Sequence, residues 1–234
     1  FSIISRPKHT VYFVCFFMSE IINTYSFSHQ EQLIPMDRDE FYTEQIALAE
    51  EWKWANKYVE VVHAFIFTEH GQLIIQKRSR EKKHNPNLLD KSMGGHIRSG
   101  DTPSLTVMIE TVQELQTPSM VLNNQADFLK VYKMLEWYLN TTAILQYIGT
   151  FDIITHRLID KKIIHIGNRA HLFFWVYGGK VKNVDGEAKG ILYYSLDDLL
   201  EEMRDFPDTF TQDLHFYVKN YISAMREFLS TIGK

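Results

Sequence analysis

"MGGHIRSGDTPSLTVMIETVQEL", residues 93–115, begins with two glycines and continues into a segment with a helical sequence pattern. Asp101 or Thr102 can cap the N-terminus of this helix by accepting a hydrogen bond from a backbone N–H that has no partner in the helix. Pro103 suits the first turn because the N–H that proline lacks would be unpaired there. Pro118 cannot continue a helix, and the helix is therefore predicted to end before it.

Apolar side chains recur along this helix at intervals of three and four residues, which is typical of a helix with one face on a protein core. These residues are Leu105, Met108, Val112 and Leu115. We therefore expect this row to pack against the rest of the domain.

A second feature of the helix is a pair of acidic residues, Glu110 and Glu114, which lie four positions apart and project from the same face. Gln113 joins them on that face. Two carboxylates and an amide oxygen are hard ligands that suit Mg²⁺ or Mn²⁺. Gly94 and Gly95 lack side chains, so their backbone can approach a ligand closely and present a carbonyl oxygen. The segment therefore predicts a divalent-cation site.

Basic residues flank the predicted cation site and are candidates for contacts to phosphate oxygens. They are Arg78, Lys82, Lys83 and Lys91. Hydrolysis assisted by a metal ion requires charge neutralisation, an activated water molecule and a shaped pocket. The combination indicates a site for a metal-bound diphosphate.

Paired glutamates alone are common on solvated helix faces, but their order after the glycines is more specific. Read from Gly95, the segment resembles the Nudix box, G-x5-E-x7-R-E-U-x-E-E-x-G-U, where U is a bulky aliphatic residue. Asp101 stands at the first acidic position, and Glu110 and Glu114 match two of the later glutamates. Three of the four acidic positions are therefore acidic here.

Several positions depart from the box. Ile109 stands where the family has arginine, Thr111 where it has an aliphatic residue, and Gln116 where it has the final glycine. Gln113 replaces the first glutamate of the pair. An uncharged amide should bind a cation more weakly than a carboxylate does, and loss of the supporting arginine should reduce activity further, by about 10–100-fold.

The resemblance covers roughly residues 37–230. The stretches "GQLIIQKRSREKKHNPNLLDKSMGGHIRSGD" and "LDDLLEEMRDFPDTFTQDL" look like the branch that includes isopentenyl-diphosphate isomerase and its hydrolase relatives. The isomerase itself is a poor match, because Gly94 stands at its cysteine and His63 is one residue out of register with its histidine. "GNR", residues 167–169, replaces its Glu-x-Glu strand motif.

The resemblance implies an α/β fold, an α/β/α sandwich around a mixed sheet, with a box helix that binds Mg²⁺. It assigns the carbonyl of Gly94 and the side chains of Glu110 and Glu114 to the metal, with a glutamate as base and Gln113 assisting. Glu187 is a candidate for a relocated ligand. Two functions stay open: a hydrolase that cleaves a small organic diphosphate, and a catalytically impaired module that binds a nucleotide or a protein partner.

The chain divides by composition into an N-terminal extension, residues 1–35, and a domain, residues 36–234. Periodicity predicts strands at Val59–Phe67 and Gln72–Lys77, an extra helix near Asn123–Leu139, and a final helix capped near Thr211. "AILQYIGTFDII" and "AHLFFWVYGG" predict two more strands, and Ser195 is predicted to cap a short helix. Two roles stay open for the extension and the extra helix: a homodimer contact or a lid over the pocket.

The chain has 234 residues and is 45% hydrophobic, which suffices for one domain with an extension. Its net charge of -4 argues against a broad nucleic-acid surface. The single cysteine, Cys15, excludes an internal disulfide framework and indicates a reducing compartment, so a cytoplasmic location is expected. The longest apolar run, residues 11–18, is shorter than the roughly 20 residues that a bilayer requires, and no membrane partner is expected. Met18 and Met36 are both plausible start residues.

Overall fold

The computed structural model describes residues 59–82, 85–98, 100–159, 162–181 and 188–234. The predicted extension, the boundary at residue 36, Lys83 and Glu187 lie outside these ranges. No helix in the described part of the chain is long and apolar enough to cross a membrane.

The described residues form eight strands and four α-helices. The strands are β1 (Val59–Thr68), β2 (Leu73–Arg78), β3 (Leu89–Asp90), β4 (Met93–His96), β5 (Ser119–Leu122), β6 (Ala143–Ile159), β7 (Lys162–Tyr177) and β8 (Ala188–Tyr194). The helices are α1 (Pro103–Leu115), α2 (Gln125–Leu135), α3 (Leu196–Asp205) and α4 (Gln212–Thr231). The predicted extra helix after the box helix is α2.

All eight strands belong to one mixed sheet with the path β3-β2-β1-β7-β6-β5. Strand β1 is parallel to β7, and β5 is parallel to β6. Strand β4 pairs antiparallel with β1, and β8 pairs antiparallel with β2. The pairing of β4 with β1 places the two glycines beside a central strand of the sheet. Strand β4 is followed along the chain by α1.

The two faces of the sheet have separate apolar cores, and β1 contributes to both by alternation. Val62, Ala64 and Ile66 pack in one core together with Val107 of α1. Val61, Phe65 and Phe67 pack in the other core, which contains buried residues of α2, α3 and α4. We refer to these as the α1 face and the α4 face. Helices on both faces of a mixed sheet confirm the predicted α/β/α sandwich.

The predicted caps begin their helices. The hydroxyl of Thr102 accepts a hydrogen bond from the N–H of Leu105 at 3.2 Å, and Pro103 occupies the first turn. Ser195 and Thr211 cap α3 and α4 in the same way. Capping side chains satisfy backbone donors that would otherwise lack partners, typically worth about 1 kcal/mol each.

The predicted core row of α1 is wrong for Leu105, Met108 and Val112, and the side chain of Leu115 lies outside the described ones. Leu105, Met108 and Val112 are only partly buried, whereas Thr106, Val107 and Thr111 are buried. Thr111 can replace a larger apolar residue because its hydroxyl donates to the carbonyl of Val107 at 2.6 Å, so no polar atom is left unpaired. The short strands β3, β4 and β5 were not predicted from the sequence.

Candidate metal and phosphate site

The two glycines lie in β4, where Gly95 is opposite Val62 and Gly94 is opposite His63. Cross-strand partners project to the same face of a sheet, and successive residues project to opposite faces. Val62 belongs to the α1 face. Gly95 therefore faces the box helix, and Gly94 faces α4.

The carboxylate of Glu110 lies directly against Gly95. A Cβ atom at position 95 would be 2.3 Å from Oε1 and 2.7 Å from Cδ of Glu110. Contacts below 3.0 Å do not occur for real Cβ atoms, so any larger residue would displace this carboxylate. The missing side chain of Gly95 thus provides the space that the acidic group of the helix occupies.

Gln113 and Glu114 lie on the same side of α1 as Glu110 and also carry side-chain oxygens. Glu110 and Glu114 are partly exposed, and Gln113 is exposed. In a helix, residues four positions apart are about 5–6 Å apart at their Cβ atoms, so the two carboxylates can bind one ion. The structure therefore places the carboxylate of Glu110 against Gly95, with Glu114 one helical turn further along α1, and a cation site at these residues stays a prediction.

The available donors fit a hard divalent cation. Among the described residues there is no group of three His, Cys, Asp or Glu side chains that could hold a metal ion. The predicted donor set contains only two such side chains within that part of the chain, with the Gln113 amide and the Gly94 carbonyl as further oxygens. Mg²⁺ suits such a set because it commonly keeps several water ligands and uses only one or two carboxylates.

Lys91 is placed differently from the prediction. Its side chain is 7% exposed, and its Nζ lies 3.0 Å from Oδ2 of Asp213 and 3.4 Å from Oδ1 of Asp90. Burial alone would lower the pKa of Lys91, but the carboxylates of Asp213 and Asp90 outweigh this and hold the pKa above its usual value. Because its ammonium group is enclosed between two acids, Lys91 is not among the phosphate contacts that we propose.

Asp90 connects this ion pair to α4 and to β2. Its carboxylate accepts hydrogen bonds from the Thr211 hydroxyl at 2.8 Å and from Nη1 of Arg78 at 3.0 Å. Burial alone would raise the pKa of Asp90, but Lys91, Arg78 and the Thr211 hydroxyl hold it below its usual value. We call Arg78, Asp90, Lys91, Thr211 and Asp213 the buried ion network.

Arg78 and Lys82 lie at the end of β2 and in the turn that follows it. The side chain of Arg78 is 22% exposed and is oriented by its ion pair with Asp90. Lys82 is partly exposed. Their contacts to phosphate remain a prediction.

His63 lies on the α4 face, as its register predicts. Its Nδ1 shares a hydrogen bond with the hydroxyl of Tyr217, and the two rings meet edge to face at 5.5 Å. Burial, followed by the negative charge of Asp213, raises the pKa of Tyr217 well above its usual value. His63 is therefore part of the packing between β1 and α4, behind the glycine pair.

Sequence reasoning did not identify the partners of Lys91. Asp213 is 122 positions away from it, and no spacing rule connects residues so far apart. The available signal was Thr211, which was predicted as a helix cap and also binds Asp90.

Comparison with known proteins supports this description. No family model matches the chain. An uncharacterised Nudix hydrolase of a Nostoc strain is 38% identical over 74 residues, which is 31% of this chain and 44% of that protein. A Nudix hydrolase of Deinococcus radiodurans is 37% identical over 79 residues, which is 34% of this chain and 45% of that protein. The chain thus spans less than half the length of these curated relatives.

A solved structure agrees with the fold. The crystal structure of a MutT protein from Methanosarcina mazei superposes with a TM-score of 0.50 at 15% sequence identity, covering 71% of this chain and 94% of that one. The described residues form an α/β/α sandwich in which Glu110 of α1 lies against the glycine pair of β4. The chain shares its fold with this MutT protein and is similar in sequence to Nudix hydrolases over about a third of its length, so the predicted resemblance to the superfamily is confirmed. The finer resemblance to the isopentenyl-diphosphate isomerase branch stays a prediction.

Proposed function

We propose that this protein is a Nudix-type hydrolase that cleaves the phosphoanhydride bond of a small organic diphosphate with the help of Mg²⁺ or Mn²⁺. One observation carries the proposal: the Glu110 carboxylate occupies the space that the absent side chain of Gly95 leaves beside the central strand. A carboxylate held against a strand backbone, with Glu114 one helical turn away, offers oxygen donors from two elements to one cation.

Different side chains would bind the cation, accept the proton of the attacking water and orient the phosphates. Glu110, Glu114 and the carbonyl of Gly94 would hold the cation, with the amide of Gln113 as a weaker donor. When bound, such a cation neutralises phosphate charge and lowers the pKa of a bound water molecule. Glu110 or Glu114 would accept the proton of the attacking water, and Arg78 and Lys82 would orient the phosphates by charge-assisted hydrogen bonds.

The replaced box positions predict a slow enzyme rather than an inactive one. Gln113 retains an oxygen donor but no charge, and Ile109 cannot orient a neighbouring glutamate as arginine would. Loss of such supporting interactions typically costs about 10–100-fold in metal affinity or activity. The alternative, a silent binding module, is less favoured because Glu110 keeps its place against Gly95 and the curated relatives are named hydrolases.

The test is release of phosphate or pyrophosphate from a panel of nucleoside and isoprenoid diphosphates in the presence of Mg²⁺ or Mn²⁺. We expect turnover of at least one member of the panel, and a loss of about 100-fold in Glu114→Gln because a general base contributes about that much or more. Glu201→Gln is the matched control. Glu201 is 69% exposed on α3, on the opposite face of the sheet.

Equal turnover in the wild-type protein and in Glu114→Gln would contradict the proposed site. Restoration of the box glutamate provides a second check. If the wild-type protein releases no product and Gln113→Glu does, the silent module is the better description.

A further inference from the structure

The α1 face of the sheet changes from apolar to charged along its strands. In one row across the sheet, Ala64 of β1 is beside Phe173 of β7, and both belong to the apolar core. Two residues nearer the start of each strand, Val62 is beside His171. At the next such step, Glu60 is beside Arg169.

The same two rows continue onto β6. Thr150 is opposite His171, and Asp152 is opposite Arg169. Paired residues project to the same face, so all of these side chains are on the face that carries Glu110. We call Glu60, Thr150, Asp152, Arg169 and His171 the polar platform.

The members of the platform are linked to one another. The Thr150 hydroxyl and Nδ1 of His171 share a hydrogen bond of 2.9 Å. The carboxylate of Glu60 lies 3.6 Å from Nε2 of His171, and Nε of Arg169 donates to Oδ1 of Asp152 at 3.1 Å. Among the described residues, Nε2 of His171 has no hydrogen-bond partner although solvent does not reach it. The side chain of Glu60 is 50% exposed, that of Arg169 45% and that of Asp152 39%, so the platform is open to a ligand.

The platform is aligned with the predicted cation site. Gly95, against which Glu110 lies, pairs with Val62, and Val62 pairs with His171. Neighbouring strands are about 4.8 Å apart, so His171 is about 10 Å across the sheet from Gly95 on the same face. A diphosphate held at Glu110 can therefore place its attached organic group over the platform.

The chemistry of the platform limits what this group can be. Ionised carboxylates only accept hydrogen bonds, so a ligand that contacts Glu60 or Asp152 must donate to them. A hydrocarbon chain would remove water from these charges without replacing its hydrogen bonds, which is unfavourable. An additional phosphate would be repelled by both acids. Adjacent hydroxyl groups satisfy the requirement because a carboxylate can accept from both.

We propose that the polar platform selects the organic group of the diphosphate, and that it prefers a group with adjacent hydroxyls, such as a pentose, to an isoprenoid chain. This inference rests on the proposed function for its diphosphate, but it concerns different residues from those that hold the cation. Glu60 and Asp152 are the specificity-determining acids, and Arg169 and His171 orient them.

Calorimetric titration with α,β-methylene-ADP, which resists hydrolysis of its anhydride, and with its 2′,3′-dideoxy counterpart tests the platform in the presence of Mg²⁺. The full chain should bind the hydroxylated analogue about ten-fold more tightly or better, because hydrogen bonds to charged groups contribute that much. Glu60→Gln and Asp152→Asn should each reduce the ratio of the two affinities, and the double variant should bring it near one. Glu201→Gln should retain the wild-type ratio.

A wild-type ratio near one, an unchanged ratio in the double variant, absence of binding by both analogues, or tighter binding of geranyl diphosphate would each overturn the platform proposal. The proposed hydrolase is judged separately by product release and its dependence on Glu114. If the protein hydrolyses diphosphates but shows no preference for the hydroxylated analogue, the proposed hydrolase function stands and the platform proposal is wrong.

Discussion

Charged side chains on the two sides of the glycine pair differ in burial and in pairing. Behind Gly94, on the α4 face, Lys91 is enclosed between Asp90 and Asp213, and its stem passes 3.0 Å from the position of a Cβ atom. In front of Gly95, on the α1 face, Glu110 occupies equivalent space but remains partly exposed. The absent side chain of Gly94 leaves space for the buried Lys91 ion pair, and that of Gly95 leaves space for the partly exposed carboxylate of Glu110.

From this comparison we infer that one short strand separates residues that stabilise the fold from residues that bind the proposed cation. Lys91 is already neutralised by the carboxylates of Asp90 and Asp213, so a ligand would gain little by displacing it. The α1 face offers carboxylates at a surface that solvent reaches. The contrast predicts that substitutions behind the strand mainly alter the free energy of unfolding, whereas those in front mainly alter cation binding and turnover.

The largest effect on stability should follow loss of Lys91. Lys91→Met removes the charge that Asp213 faces and leaves that carboxylate partly buried without its cation, so we expect a loss of about 3–5 kcal/mol in the free energy of unfolding. Urea titration followed by circular dichroism measures it. Arg226→Met is the control, because Arg226 forms an exposed pair with Asp197 at 2.6 Å, and exposed pairs contribute about 0–1 kcal/mol. Similar losses in both variants would remove the distinction between the two faces.

Gly95→Ala should reduce turnover with little effect on stability. The new methyl group would collide with the flexible end of Glu110 rather than with backbone, so the carboxylate should shift while the fold is retained. We expect turnover to fall by about 100-fold, the upper range for loss of a supporting interaction at a metal site, and stability to change by less than about 1 kcal/mol. Gly190→Ala is the matched control, since nothing lies within 4 Å of its Cβ position. Unchanged turnover in Gly95→Ala would separate Glu110 from the chemistry.

Tyr217→Phe should have a smaller effect, again confined to stability. It removes the hydroxyl that shares a hydrogen bond with buried His63, and leaving a buried polar group with fewer partners costs about 1–2 kcal/mol. Thermal unfolding and product release measured on the same preparation test the separation. A fall in turnover at saturating substrate without a fall in stability would contradict a purely structural role for the pair of His63 and Tyr217.

The smallest effect should be a change in the pH dependence of stability. Because the folded protein holds the pKa of Asp90 below its ordinary value of 3.8, the charge of Asp90 contributes stability above that pH, and the contribution is lost as pH falls through the lowered pKa. The difference in unfolding free energy between the wild-type protein and Asp90→Asn should therefore shrink below pH 3.8. One proton limits the slope to about 1.4 kcal/mol per pH unit. A difference that grows toward low pH would contradict the direction of this shift.

The elements that the sequence predicts well are those with local signals. The start of α1 follows from Thr102 and Pro103, and β1 follows from its run of apolar residues. Strand β4 has no such signal, because a strand containing two glycines has little side chain to pack and little intrinsic preference for an extended strand. It forms through its pairing with β1, which is a tertiary contact.

Only the part of the candidate site on the α1 face was predictable from the sequence. Glu110, Glu114 and the glycine pair are close in sequence, and helical periodicity brings the acids together. The orientation of α1 was mispredicted because Thr111 was counted as polar, although its hydroxyl is satisfied within the helix. The polar platform and the buried ion network join strands and helices distant in sequence, and only the sheet register reveals them.

Electron paramagnetic resonance of Mn²⁺ titrated into the protein tests the proposed cation site without a substrate, because bound and free Mn²⁺ give different signals. We predict saturable binding of one ion by the wild-type protein, weakening by about 10-fold or more in Glu114→Gln, and unchanged binding in Glu201→Gln. Equal Mn²⁺ affinity in all three proteins would contradict a cation site between Glu110 and Glu114.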